Sequence, residues 1–88
     1  MKLIICPACS DIVAMRDEPR TCACGASHGH YTDQQNAVYG GKAIPMGIAN
    51  GSLRDALLMR RAHGVGYNVE AFVIAKDCAT FKQEICDA

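Results

Sequence analysis

The chain has 88 residues, half of them apolar, and its nine basic side chains balance nine acidic ones. A chain of this length allows one domain with a small core, because it buries only about 60% of its unfolded surface, and a metal or disulfides often stabilise such domains. The neutral charge argues against general binding to DNA or RNA, which draws mainly on cationic side chains. No segment approaches the run of about eighteen apolar residues that a membrane span requires, so no membrane partner is expected.

The first third of the chain predicts short strands joined by two cysteine-containing loops. Residues 3–5 predict a strand that enters the first loop, residues 11–16 predict its return, and residues 28–32 predict a strand that leaves the second loop. Gly25, in the second loop, allows the left-handed backbone that a tight metal-binding turn often requires. We therefore expect a compact unit over residues 1–33.

The remainder of the chain predicts a strand–helix–strand extension, residues 34–88, packed on that unit within a single domain, 1–88. Apolar residues alternate over 44–48 and favour a strand, which Pro45 would confine to a sheet edge or a bulge. Residues 69–75 are mostly apolar, so they predict a central strand. The expected fold class is therefore α+β.

One main helix is predicted at about 53–62. Ser52 provides an N-cap, and Gly64 provides the stop. The residues expected to pack on the sheet are Leu53, Ala56 and Leu57. In the tail of the chain, three apolar side chains share a helical face and predict a further short turn of helix: Cys78, Phe81 and Ile85.

Four cysteines near the N-terminus have the spacing of metal ligands. Two residues separate Cys6 from Cys9, one separates Cys22 from Cys24, and twelve lie between the pairs. Two such loops can bring four thiolates to one Zn²⁺ ion, at about 2.3 Å and in tetrahedral geometry. We therefore predict one closed structural zinc site per chain, in which iron is a chemically acceptable substitute.

Two disulfides are the alternative to a metal site. Disulfides belong to exported proteins, and the apolar run after Met1 and Lys2 is too short for a signal peptide. Six cysteines without an export signal point to a reducing compartment, where paired cysteines more often hold metal. The expected location is therefore the cytoplasm.

The segments Cys6-Pro7-Ala8-Cys9 and Cys22-Ala23-Cys24-Gly25 resemble the knuckles of zinc-ribbon, or rubredoxin-like, metal-binding modules. The resemblance covers residues 1–33 and implies two knuckles on short hairpins. Two features depart from the pattern: Ser10 stands where glycine is frequent, and the second pair is spaced by one residue rather than two. Zinc ribbons serve in transcription, translation and protein assembly, so the resemblance leaves the function open. The remainder resembles small bacterial or phage proteins, which imply no role.

Four further residues are candidates for metal or thiol chemistry. His28 and His30 share a strand face near the second knuckle, where they could replace a cysteine, donate to a thiolate, form a second site or simply be solvated. Cys78 is expected in or near the core, whereas Cys86, close to the chain end, is expected to be exposed and reactive. A thiol- or metal-based redox sensor that uses either cysteine is therefore one functional alternative.

The predicted helix is apolar over most of its circumference. A domain of this size has little material to bury such a helix, so contact with another protein or self-association is expected. Leu58 and Met59 are the predicted contacts, with Arg54 and Arg61 beside them. No paired carboxylates or phosphate loop indicate catalysis. The sequence therefore favours a non-enzymatic adaptor or inhibitor that acts on an unidentified protein.

Nucleic-acid recognition is the competing prediction. It would use a local basic patch formed by Arg54, Arg60, Arg61 and Lys42. The simpler interpretation of these residues is a solvated helix face, with the stem of Arg60 covering apolar neighbours.

Overall fold

Strands dominate the computed structural model, which describes residues 1–84. These residues form two four-stranded sheets and one helix, as the predicted α+β class requires. The strands are β1 Lys2–Ile5, β2 Ile12–Ala14, β3 Arg20–Thr21, β4 Ser27–Tyr31, β5 Ala37–Gly41, β6 Ile44–Ile48, β7 Ala71–Val73 and β8 Phe81–Gln83, and the helix is α1 Asn50–Leu58.

The first sheet has the order β2-β1-β6-β7, with antiparallel pairing throughout. Since β6 lies inside this sheet, the expectation that Pro45 confines its strand to an edge is wrong. The Pro45 carbonyl accepts the Ile74 N–H at 2.9 Å, just beyond Val73, the last residue of β7 that pairs with β6. Because the nitrogen and carbonyl of one strand residue point to the same side in an antiparallel sheet, the Pro45 nitrogen also faces β7. The proline therefore removes no hydrogen bond from the ladder between β1 and β6.

The second sheet has the order β3-β4-β5-β8, and β8 runs parallel to β5. The prediction of a short helical turn in the tail is therefore wrong for the described residues, since Phe81 lies in a strand. Ile85, the third residue of the predicted helical face, lies outside the described residues. Phe81 is fully buried opposite Ala37, and its ring meets the Tyr39 ring edge-on, with 5.2 Å between centroids. This aromatic contact with a distant strand favours extended backbone over the local helical pattern.

β7 forms the edge of the first sheet, although its apolar sequence predicts a central strand. All three of its residues are exposed, with 52% of Phe72 and 66% of Val73 open to solvent. The Phe72 ring lies over Gly47 of β6, where an added Cβ would come within 2.7 Å of the ring. Glycine at this position therefore allows the aromatic ring to approach the β6 backbone closely.

The helix α1 begins three residues and ends four residues before the predicted bounds. Its N-cap is Ala49, which makes no side-chain cap, while Ser52 lies inside the helix and accepts the Glu70 N–H at 2.7 Å. No helix residue is buried, and Leu57, expected on the core face, is 69% exposed. Within residues 1–84, the helix has neither the length nor the apolar character needed to cross a bilayer.

The core is one cluster that contains side chains from both sheets. Its buried members are Ile4, Cys6, Val13, Met15, Cys22, Ala37, Tyr39, Ala43 and Phe81. Two of these residues, Cys6 and Cys22, belong to the two predicted metal-binding loops. The loops are therefore continuous with the core.

Candidate metal centre

Each predicted knuckle lies in the loop of a different hairpin. Cys6 directly follows β1, and Cys9 lies in the turn before β2, in the first sheet. Cys22 directly follows β3, and Cys24 lies in the turn before β4, in the second sheet. A metal bound to all four cysteines would therefore join the two sheets at their loops.

The sulfur atoms of the four cysteines lie close together. All four Sγ atoms are within 4.8 Å of one another. The Cys24 Sγ lies 3.7 Å from that of Cys6 and 3.6 Å from that of Cys22. A tetrahedral ion with bonds of about 2.3 Å places its sulfur ligands about 3.8 Å apart. The cluster could therefore hold a metal ion, and its cysteines are free thiols rather than disulfides.

The first knuckle is closed by backbone hydrogen bonds. The Ser10 N–H donates to the Cys6 carbonyl at 2.7 Å, and the Cys6 N–H donates to the Asp11 carbonyl at 2.9 Å. Ser10 has a φ of 62°, in the left-handed region that favours glycine. The position where zinc ribbons frequently have glycine thus keeps the glycine conformation with a serine side chain.

The second knuckle is closed in a similar way. The Gly25 N–H donates to the Cys22 carbonyl at 3.1 Å, and Gly25 has a φ of 81°, as expected from the sequence. The Ser27 N–H donates to the Cys22 Sγ at 3.3 Å. An N–H group that points at a sulfur stabilises the thiolate, because it offsets part of the negative charge.

Asp11 joins the two knuckles to each other. Its Oδ2 accepts the Ala23 N–H, in the middle of the second knuckle, at 2.8 Å. This contact positions one metal-binding loop against the other without the metal. The contact is not predictable from sequence, because an aspartate beside a knuckle cannot be distinguished there from any solvated turn residue.

The Ser27 hydroxyl is a buried polar group beside the cluster. Ser27 is fully buried, and its Oγ makes no hydrogen bond of ordinary geometry with the described residues. The hydroxyl is nevertheless the largest cause of the shift in the pKa of Cys6, which is lowered to about 6. Burial raises this pKa, and the N–H groups of Cys9 and Ala8 lower it further. A Cys6 thiolate would give the hydroxyl the acceptor that it lacks.

The pKa values of Cys22 and Cys24 are shifted in opposite directions. Burial is the largest influence on Cys22 and raises its pKa, but the Ser27 N–H and the Cys24 thiol outweigh it, so the pKa is lowered. The Ala26 N–H is the largest influence on Cys24 and lowers its pKa, yet the neighbouring thiols and burial raise it to about 11. A divalent cation would resolve this opposition, since it favours the thiolate at all four positions.

Neither candidate histidine belongs to the cysteine cluster. Within residues 1–84, the group of metal-ligating side chains that converge contains the four cysteines alone. The His28 ring lies across Gly40, and its Nε2 is 2.8 Å from the Glu84 carboxylate. His30 lies on the same face of β4 as His28, opposite Val38 of β5, and is half-buried.

Cys78 lies apart from the four clustered cysteines. Cys78 is half-buried, packs against the core as predicted, and lies 3.6 Å from the Thr80 hydroxyl, which is the largest cause of its lowered pKa. Cys86 lies outside the described residues. The structure therefore does not bring Cys78 to the two cysteine loops.

The residues of the predicted interaction surface are all exposed. Leu58 ends α1 and is 76% exposed, and Met59 caps the helix and is 62% exposed. Arg54 lies on the helix, and Arg61 follows it, with its guanidinium 5.6 Å from the centre of the Tyr67 ring. These side chains are thus available for contact with another molecule.

The candidate basic patch is divided by a strand. Lys42 lies in the turn before β6, whereas the helix that carries Arg54 follows β6 at its other end. A strand of five residues spans about 16 Å. The structure therefore places Lys42 at some distance from the predicted arginine group.

The four clustered cysteines form a site that could bind a metal ion. No protein-family model matches the chain, and no match to it was found among curated proteins or solved structures.

Proposed function

We propose that the protein is a small, zinc-stabilised, non-enzymatic domain that acts by contact with another protein. The observation that carries this proposal is the closed set of four thiols, Cys6, Cys9, Cys22 and Cys24. Four thiolates fill the tetrahedral sphere of zinc and leave no position for water or substrate. The site therefore supports a role in stability rather than in catalysis.

The fold supports the same interpretation. The two knuckles come from different sheets, and Cys6 and Cys22 are part of the shared core. When bound, Zn²⁺ would supply a cross-link between the two loops, of the kind that small domains use to supplement a limited core. The Asp11 carboxylate brings the loops together, and the Ser27 N–H and hydroxyl offset negative charge on the sulfurs.

Exposed apolar side chains support protein contact. Leu57, Leu58 and Met59 are exposed at the C-terminal end of α1, where no part of the described chain buries them. Consecutive exposed apolar residues of this kind are typical of protein-binding surfaces. An adaptor or an inhibitor would present this helix end to its partner, with Arg54 and Arg61 at its border.

The metal assignment is tested by native mass spectrometry of protein purified without added metal. We expect one zinc ion per chain, and loss of strand signal in circular dichroism after a chelator removes it. Iron in its place would change the metal but not its structural role. A folded, metal-free protein whose thiols are all oxidised would overturn the proposal.

The contact surface is tested separately with Leu58→Glu and Met59→Glu. Because both side chains are exposed, the variants should retain zinc and the wild-type melting temperature. Partners captured by the wild-type protein should be lost from these variants and kept by Glu18→Lys, a charge change in the exposed turn before β3. Unfolding of both glutamate variants would instead indicate a core role for the helix.

The other two functions predicted from the sequence gain no specific support. Nucleic-acid binding needs a coherent basic surface, and Lys42 lies at the opposite end of β6 from the helix that carries Arg54. A redox sensor needs a thiol in exchange with the metal ligands, and Cys78 is held against the core beside Thr80.

A further inference from the structure

The edge strand β7 has one side of its backbone without a strand partner. The Ala49 N–H donates to the Glu70 carbonyl, and the Ile74 N–H donates to the Pro45 carbonyl, both at 2.9 Å. Glu70, Phe72 and Ile74 therefore point their backbone groups toward β6. Because successive residues of a strand point to opposite sides, the residues between them point outward.

Within β7 the outward backbone groups belong to Ala71 and Val73. Ala75 lies two residues beyond β7, and the bond from Ile74 to Pro45 implies the same direction for its backbone groups. No strand within residues 1–84 pairs with this side of β7, and no hydrogen bond among these residues involves the three outward N–H groups. The neighbouring side chains are apolar and exposed, at 52% for Phe72 and 66% for Val73. An open apolar edge of this kind is a template for pairing with another strand.

The sequence around this edge is complementary to itself. Residues 70–76 read Glu-Ala-Phe-Val-Ile-Ala-Lys, with Val73 at the centre. In an antiparallel pair with an identical strand centred on Val73, Ala71 faces Ala75, Phe72 faces Ile74, and Glu70 faces Lys76. Two-fold symmetry forms each of these pairs twice, so the interface contains two ion pairs of opposite charge.

The outward hydrogen-bonding positions agree with the same register. A ladder centred on Val73 exchanges N–H···O bonds at Ala71, Val73 and Ala75, which are the three residues whose groups point outward. This ladder contains about six hydrogen bonds. A shift by two residues in either direction would place Glu70 opposite Ile74 or Cys78 and would leave Lys76 without its acidic partner. Backbone direction and charge thus select one register.

We propose that the partner of the β7 edge is a second copy of this chain, paired antiparallel to form one continuous eight-stranded sheet with Val73 on the two-fold axis. This inference goes beyond the proposed function, because it concerns the β7 edge rather than the metal site or the end of α1. The interface is narrow, so we expect a reversible dimer whose population rises with protein concentration.

Charge reversal tests the register by analytical ultracentrifugation from micromolar to millimolar protein. The wild-type protein should dimerise reversibly. Glu70→Lys and Lys76→Glu each place two like-charged pairs in the interface, so each should raise the dissociation constant about tenfold or more. The double variant restores opposite charges and should return the dissociation constant to within about threefold of the wild-type value. Lys42→Glu, in the turn before β6, is the matched control and should dimerise normally.

Each contrary result would overturn the proposal. A wild-type protein that stays monomeric at millimolar concentration would exclude the dimer. A dimer that ignores the single reversals, or that the double variant fails to restore, would exclude this register. Loss of the dimer in Leu58→Glu, with the charge variants unaffected, would assign self-association to the helix. Zinc content and amide spectra identify any variant that fails to fold, independently of dimerisation.

A second measurement needs no variant. In the proposed register Phe72 and the Ile74 of the second copy form a pair without mutual hydrogen bonds, which brings their Cα atoms to about 4.5 Å. A mixed sample of isotope-labelled and unlabelled chains should therefore give an intermolecular nuclear Overhauser effect between these α-protons. If the α-proton of Phe72 instead showed an intermolecular contact to a residue other than Ile74, the proposed register would be wrong.

Discussion

The Asp11 carboxylate accepts the backbone N–H of Ala23 at 2.8 Å and so connects the two metal-binding loops directly. The loops belong to different sheets, and this bond lies beside the cysteines of both. It therefore sets the separation of the two knuckles before a metal contributes. Preorganisation of this kind increases metal affinity, because less ordering of the loops remains to be done on binding.

Replacement of Asp11 by alanine should weaken zinc binding about tenfold, the lower end of the effect expected from loss of a group that orients metal ligands. Competition with a chromogenic chelator measures the affinity. Asp11→Asn keeps an oxygen acceptor and should therefore reduce the zinc affinity less than Asp11→Ala does. Asp17→Ala, an exposed aspartate in the turn between β2 and β3, should leave the affinity unchanged. Equal affinities for Asp11→Ala and wild type would show that the Ala23 contact does not position the loops.

Ser27→Ala tests the buried hydroxyl beside Cys6. If the hydroxyl donates to the Cys6 thiolate in the metal-bound protein, its removal should lower zinc affinity about tenfold. Ser52→Ala is a matched control, since that hydroxyl accepts the Glu70 N–H and has no role at the cysteines. The same competition assay compares the variants. An unchanged or higher affinity in Ser27→Ala would mean that the hydroxyl is a buried polar group without a thiolate acceptor.

The convergence of the four cysteines was predictable because its determinants are local. Cysteine spacing fixes which side chains can converge, and Gly25 marks the left-handed residue of the second turn. The contacts of Asp11 and Ser27 were not predictable in this way, because each joins segments that the sequence separates. The spacing of apolar and polar residues along the chain carries no information about such long-range contacts.

The extension beyond residue 33 shows the complementary limitation. Its apolar residues indicate where strands form but not which strands are neighbours. The sequence therefore predicts a central position for β7 and a helical conformation for Phe81, and both predictions are wrong. Phe81 becomes a strand residue because its ring packs on Tyr39, in a strand far earlier in the chain. Ser52 has the identity of an N-cap, yet its hydroxyl accepts a hydrogen bond from Glu70. Long-range contacts override the local signal in both cases.

Ser10→Gly should stabilise the protein. Ser10 has a φ of 62°, a conformation that costs a residue with a Cβ about 1–2 kcal/mol, whereas glycine adopts it freely. The greater freedom of glycine in the unfolded chain offsets part of this, which leaves a gain of about 0.5–1 kcal/mol in the free energy of unfolding. Denaturation of the zinc-bound protein measures the change. Ser10→Ala keeps the strain and should show no gain; a gain equal to that of glycine would refute strain as the cause.

Removal of one metal ligand should separate structural thiols from the other cysteines. Cys22→Ser replaces a buried sulfur of the cluster, so we expect it to lose stoichiometric zinc and most of its cooperative unfolding transition. Cys78→Ser changes a thiol that packs beside Thr80, outside the cluster, and should retain one zinc ion with only a modest loss of stability. Native mass spectrometry measures the metal, and thermal denaturation measures the fold. Zinc retention by a folded Cys22→Ser protein, or zinc loss from Cys78→Ser, would show that the ligand set differs from the four clustered cysteines.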